Sequence, residues 1–184
     1  MTPNNEPFPN SFLCENENMA AIVAGRAYVE FADSADKVYA IEKTVQAWAK
    51  KLDLPLAYVH CNTTTNWPDE PPTYDAAVIG IVSFFGHGND EGEAQALPRG
   101  ALDPKAGEKI PDEFWSALDE EHGLRSGESG LFLAVAGWTW ASIRDAAGNR
   151  LASTSAEDEG YRGLSANGPL LAAEGPLEIV ISYC

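Results

Sequence analysis

The chain has 184 residues, 28 of them Asp or Glu against 12 Lys or Arg, and carries a formal charge of −16. A surplus of that sign and size repels phosphate backbones and anionic bilayers, so direct nucleic-acid binding through a basic patch and attachment to a membrane surface are both disfavoured. With 45% hydrophobic residues the chain can build a core without a structural metal or disulfide, and no cofactor or metal is expected.

Residues 1–18 read as a flexible polar arm, because Pro3, Pro7 and Pro9 interrupt a stretch rich in Asn and Glu. That start lacks the basic residues and apolar run of a secretion signal. Cys14, Cys61 and Cys184 have no metal-ligand spacing and suggest free thiols, which points to a cytoplasmic location. No apolar run approaches the roughly 20 residues of a membrane helix.

The folded part is expected to be one α+β domain over 19–184. Residues 20–32 read as a strand rich in β-favouring side chains, with Gly25 as a bend or bulge. Val38, Ile41, Val45, Trp48 and Leu52 recur in alternating steps of three and four, which predicts a helix over 34–52 with one apolar face. Asp33 or Ser34 can cap it, and Asp36, Lys50 and Lys51 suit the charges of its two ends.

A short strand over 56–61 and a polar connection over 62–73 precede the apolar run 76–85, which reads as a central strand. Residues 86–110, broken by Gly and Pro, are expected to be irregular. Pro111 opens a second helix with Phe114, Trp115 and Leu118 facing inward and Gly123 past its end. A long strand is expected over 131–143, then a turn over 144–149, a returning strand over 150–154, a loop over 156–175 and a last strand over 177–183.

This order predicts a mixed or mainly antiparallel sheet with two helices, a split βαβ-like layer extended by a C-terminal hairpin and strand. A parallel doubly wound sheet is the alternative, disfavoured because only two helices are visible for six strands.

The usual catalytic signatures are missing: there is no P-loop, G-x-G-x-x-G, H-E-x-x-H or C-x-x-C. Gly163, Ser165 and Gly168 resemble a nucleophile elbow only in outline, since the second Gly falls one residue late. The best chemical candidate lies where 76–85 runs out into Gly86–Glu93. There His87 could act as a general base or metal ligand with Asp90 and Glu93 beside it, because imidazole titrates near neutrality and carboxylates can orient it or share a cation. A solvated turn whose glycines serve the backbone is the plainer alternative. His60 and Cys61 end another strand and could join His87 only in a parallel sheet.

No Lys or Arg lies between Lys51 and Arg99, while seven carboxylates do. Within that stretch Trp67 sits in a polar loop as a candidate interface anchor, flanked by Asp69 and Glu70; Asp90, Glu91 and Glu93 form a second acidic cluster. Trp138 and Trp140 fall on one face of their strand, as a core pair or an exposed aromatic platform, with core packing the plainer reading. The acidic runs 119–121 and 157–159 are read as solvated faces.

Two functional expectations follow. In the first, the chain is a non-enzymatic acidic binding or inhibitor protein, immunity- or antitoxin-like or a nucleic-acid mimic. It would engage a basic protein partner through Trp67, Asp69, Glu70, Asp90, Glu91 and Glu93. In the second, it is a small enzyme or ligand-binding protein that uses the His87–Glu93 loop, with or without a divalent metal. A third role, as a subunit lending sheet edges to an assembly, stands behind both.

Overall fold

A computed structural model of the chain describes residues 18–32, 34–64, 73–136, 139–154, 160–164 and 168–183. The expected arm over 1–18 lies outside these residues except for Asn18.

Strand β1 (Met19–Ala32) is followed by helix α1 (Ala35–Leu52), β2 (Leu56–Thr64) and β3 (Thr73–His87). Then come β4 (Glu93–Leu97), two 3-10 turns (Arg99–Leu102 and Pro104–Lys109), α2 (Asp112–His122) and β5 (Ser126–Val135). Strands β6 (Thr139–Arg144), β7 (Arg150–Thr154) and β8 (Tyr161–Leu164), the single turn α3 (Pro169–Ala172) and β9 (Leu177–Tyr183) complete the described chain.

The first sheet has the order β2-β3-β1-β5-β8, with each neighbouring pair antiparallel. β1 and β2 are therefore parallel, joined through α1 and separated by β3; β3 and β5 are likewise parallel, separated by β1. This is the split βαβ layer that the order of elements predicts. The antiparallel β2–β3 pairing also sets His60 opposite Ala77, ten residues along β3 from His87. At a rise of about 3.3 Å per residue the two histidines are roughly 33 Å apart along the sheet, so they share no site.

Helix α1 forms where its apolar stripe and caps agree. Ser34 is extended and accepts from the Lys37 amide at 3.4 Å, while Asp53, left-handed at φ 51°, closes the other end through Ala49 and Lys50 carbonyls. Val38, Ile41 and Val45 are buried against Tyr58, Ala77 and Ile79 of the sheet and against Phe114, Trp115 and Leu118 of α2. Both helices thus cover one face of the first sheet. Arg26 on β1 reaches under α2, its guanidinium 4.9 Å from the Trp115 ring and 3.9 Å from the Asp119 carboxylate.

Glycine at 25 serves a close approach, where the sequence suggested a bend or bulge. Gly25 pairs with Gly80, and a Cβ on either would meet the opposite backbone at 2.1 or 2.4 Å. Register shifts fall instead between Ile22 and Val23, where β3 carries Ser83 as the extra residue, between Val29 and Ala32 against β3, and between Arg26 and Tyr28 against β5.

The largest correction concerns 86–110 and 131–143. The first segment is ordered: β4 pairs with β9, and the Ser83 hydroxyl donates to the Ala101 carbonyl at 2.7 Å, pinning the first 3-10 turn against β3. Ala101, Leu102 and Ile110 are buried. The second segment is two strands. The Ala136 amide bonds to the Met19 carbonyl at 3.0 Å, the Thr139 amide bonds back to Ala136 at 2.8 Å, and β6 then leaves for another sheet. Likewise β8 and α3 occupy part of the expected 156–175 loop.

The second sheet, β4-β9-β6-β7, is also antiparallel throughout. Its inner side chains, Leu97, Ala141, Ile143, Leu177, Ile179 and Ile181, pack on Ala20, Ile22 and Ala24 of β1 and Leu131, Leu133 and Val135 of β5. One face of the first sheet is therefore divided, with the helices over one part and the second sheet over the other. The opposite face carries a separate buried layer of mostly small side chains, among them Ala21, Val23, Val59, Val78 and Ala134. No described helix is long and apolar enough to cross a membrane.

Candidate functional site

The run that follows β3 is the crossover between the two sheets, and its glycines explain its path. The Gly88 amide donates to the Asn18 carbonyl at 2.8 Å, and a Cβ at Gly88 would lie 2.3 Å from the Ile181 carbonyl oxygen. Asn89 bridges to Ser182 of β9, and its carbonyl accepts from Tyr183 at 3.3 Å and from Gly92 at 3.2 Å. Its side-chain oxygen accepts from the Glu91 amide at 3.2 Å, and Gly92 turns the chain into β4 with φ 89°.

His87 ends β3 as an exposed residue whose ring stands edge-on to Phe85 at 5.1 Å between centroids, and its carbonyl accepts from the Gln95 side-chain amide. Asp90, Glu91 and Glu93 are all exposed. Among the described residues no three His, Cys, Asp or Glu side chains gather where they could hold a metal ion. What the crossover presents is a set of carboxylates on a backbone tied at both sides to β-structure.

Trp67, Asp69 and Glu70, together with Trp138 and the run 157–159, lie outside the described residues. The run 119–121 is not uniformly solvated. Asp119 turns toward Arg26, and with burial its charge raises the Tyr28 phenol pKa far above the ordinary value, while Glu120 and Glu121 stay exposed.

Trp140 differs from its reading as core. Thr139, Ala141 and Ile143 take the inner face of β6, so Trp140, Ser142 and Arg144 take the outer one. There they line a concavity of about 420 Å³ together with Arg150, Ser153, Val180 and Ser182. The alternation of Thr, Ala and Ile with Trp, Ser and Arg was the available signal, and it places Trp140 on the polar side.

A neighbouring groove of about 330 Å³ follows the seam between β7 and β8, lined by Arg150, Arg162, Leu164 and Leu170. A third hollow lies over the solvent side of α1 beside Tyr39, which is 60% exposed. Among the described residues, none of these three is lined by His87, Asp90, Glu91 or Glu93. No family model, curated protein or solved structure matches this chain.

Proposed function

We propose that this protein is a non-enzymatic acidic binding protein of the cytoplasm that engages a basic protein partner, in the manner of an immunity protein, antitoxin or other inhibitor. The observation that carries the reading is the crossover. Asp90, Glu91 and Glu93 are exposed side by side on a segment anchored through Asn18, Asn89, Ser182 and Tyr183. Carboxylates held in this way keep their charge in fixed positions without losing backbone freedom on binding, which favours fast, charge-steered association. The net charge of −16 extends the attraction beyond the contact itself.

The experiment is capture of partners from the source cell extract at about 0.05 and 0.5 M salt, with the Asp90→Lys, Glu91→Lys, Glu93→Lys triple variant in parallel. A basic partner should be retained at low salt, and its association should slow at least tenfold in high salt and in the triple variant. Association indifferent to both, or stoichiometric metal in protein purified without added metal, would overturn the reading.

A further inference from the structure

We propose that the outer face of the second sheet binds a small phosphate-bearing ligand with a flat ring, its phosphate held by Arg144 and Arg150 and its ring stacked on Trp140. The Trp140 end of this site adjoins the acidic crossover through Val180 and Ser182, while its arginine end lies further along β6, and the proposal does not depend on the partner proposed above.

The first observation is a pair of like charges on one rung. Arg144 pairs directly with Arg150 because the β6–β7 register shifts after Ile143, which lies opposite Ala152. Like charges directly opposite each other on a ladder repel, and an arrangement of this kind is relieved by an anion between them. Among the described residues no carboxylate comes within ion-pair distance of either guanidinium.

Two carboxylates lie near, and neither closes an ion pair with the arginines. Glu178 faces Arg144 from the neighbouring ladder without closing an ion pair. Asp145 is engaged in its own turn, accepting from the Asn149 amide at 2.8 Å, the Asn149 side chain at 2.9 Å and the Ala147 amide at 3.0 Å. In a chain of net charge −16, two arginines on one rung with no ion pair closed among the described residues stand apart from the rest of the surface.

The second observation is what surrounds the pair. Trp140 sits on the same face with no ring partner among the described residues; Ser142 and Ser153, paired across β6 and β7, lie between it and the arginines, and Ser182 lies opposite it on β9. The concavity of about 420 Å³ falls within the roughly 300–1,000 Å³ of small-molecule sites. Trp140 and Arg144 are four residues apart on β6, about 13 Å along the strand at 3.3 Å per residue, a span that the long arginine side chains must shorten by reaching toward the ring before one mononucleotide fills it.

Guanidinium forks match phosphate oxygens, and two of them match a dianion. A small ligand is favoured over an acidic macromolecule, since the latter would meet the repulsion of the whole chain while the former feels chiefly the local pair.

The test uses the full chain and three probes, adenosine monophosphate, adenosine and inorganic phosphate, followed by calorimetry and by backbone amide shifts. Adenosine monophosphate should bind at least tenfold more tightly than either fragment, with shifts centred on 140–144, 150–153 and 180–182. Arg150→Gln and Trp140→Leu should each weaken it at least tenfold while melting temperatures stay close to wild type. Arg144→Gln provides a second removal of charge should Trp140→Leu unfold the chain. No binding at millimolar concentration, binding unchanged by Arg150→Gln, or phosphate binding as tightly as the nucleotide would overturn the proposal and leave the arginines as guards of a sheet edge.

Discussion

Trp48→Ala tests how the two helices are held to each other and to the sheet. The periodicity of α1 alone implies a fully buried indole, for which truncation costs about 3–5 kcal/mol. The structure lowers that figure. Trp48 is half-buried, meeting Phe114 edge-on at 6.2 Å on one side, while Lys51 lies over its ring at 4.2 Å on the other. Half the burial contributes about 2 kcal/mol, the aromatic contact about 0.5–1.5 and the exposed cation about 0.5. With partial overlap among them, the expected loss is about 2–3 kcal/mol, or about 4–12 °C in melting temperature for a chain of this size.

Phe114, with no exposed surface, should cost about 3–5 kcal/mol when truncated. Urea melts of the two single variants and the double variant would yield the coupling directly, expected at about 0.5–1.5 kcal/mol. An unchanged midpoint for Trp48→Ala, or strict additivity in the cycle, would refute the α1–α2 contact.

Two further outcomes follow from packing and protonation. Gly80→Ala would drive a Cβ to 2.4 Å from the Ala24 carbonyl oxygen and 2.7 Å from the Gly25 Cα, costing about 1–3 kcal/mol, whereas Gly100→Ala, with nothing within 4 Å, should leave the urea midpoint unchanged. Burial holds the His122 pKa below its ordinary value, with Lys37 adding to the depression and Glu121 opposing it, and the ring lies 2.8 Å from the Thr44 hydroxyl. The unfolded chain therefore takes up this proton first, so stability is complete above about pH 6.5 and falls as pH drops below it until the folded-state pKa is passed. Melts at pH 7.5 and 5.5 should show a loss that His122→Gln reduces, and equal losses in both proteins would remove His122 as the cause.

How far the sequence was legible depended on whether a segment is central or at an edge. The apolar stripe of α1, the cap at Ser34 and the lysines Lys50 and Lys51 of its last turn agree with each other, and the split βαβ order follows from two helices placed between strands. The strands missed in the sequence, β4 of the second sheet and β8 of the first, carry little hydrophobic signal. In β4, Glu93 through Leu97, only Leu97 is buried, and four-residue β8 is an edge strand with two exposed positions. At 131–143 the same odd-numbered positions are buried on both sides of the break, so periodicity could not show that the chain changes sheets at Ala136.

The candidate sites divide in the same way. His87, Asp90 and Glu93 were found because they follow an apolar run, but the role of Gly88 in seating the crossover against Ile181 depends on a contact between distant segments. Continuing the β6–β7 register past Ile143 and Ala152 would put Arg144 opposite Leu151. Only the shift at this point brings Arg150 across from it.

The acidic crossover and the arginine pair lie toward different ends of the second sheet, and the interval between them separates the charges on which the two proposals rest. The carboxylates join the sheet at Ser182, which pairs with Trp140, whereas the arginines lie at Arg144 and Arg150, four residues further along β6. That interval of about 13 Å exceeds the screening length of about 8 Å at physiological salt. Charge reversal at Asp90, Glu91 and Glu93 should therefore leave adenosine monophosphate affinity within about twofold, measured by calorimetry at 0.15 M salt, and Arg150→Gln should leave association with a basic partner within the same margin. At about 0.01 M salt the screening length grows to about 30 Å, and the triple reversal, by adding positive charge within that range, should then strengthen binding of the dianion. A coupling of tenfold or more at 0.15 M salt would mean that one contiguous surface serves both ligands, and the separation drawn here would fail.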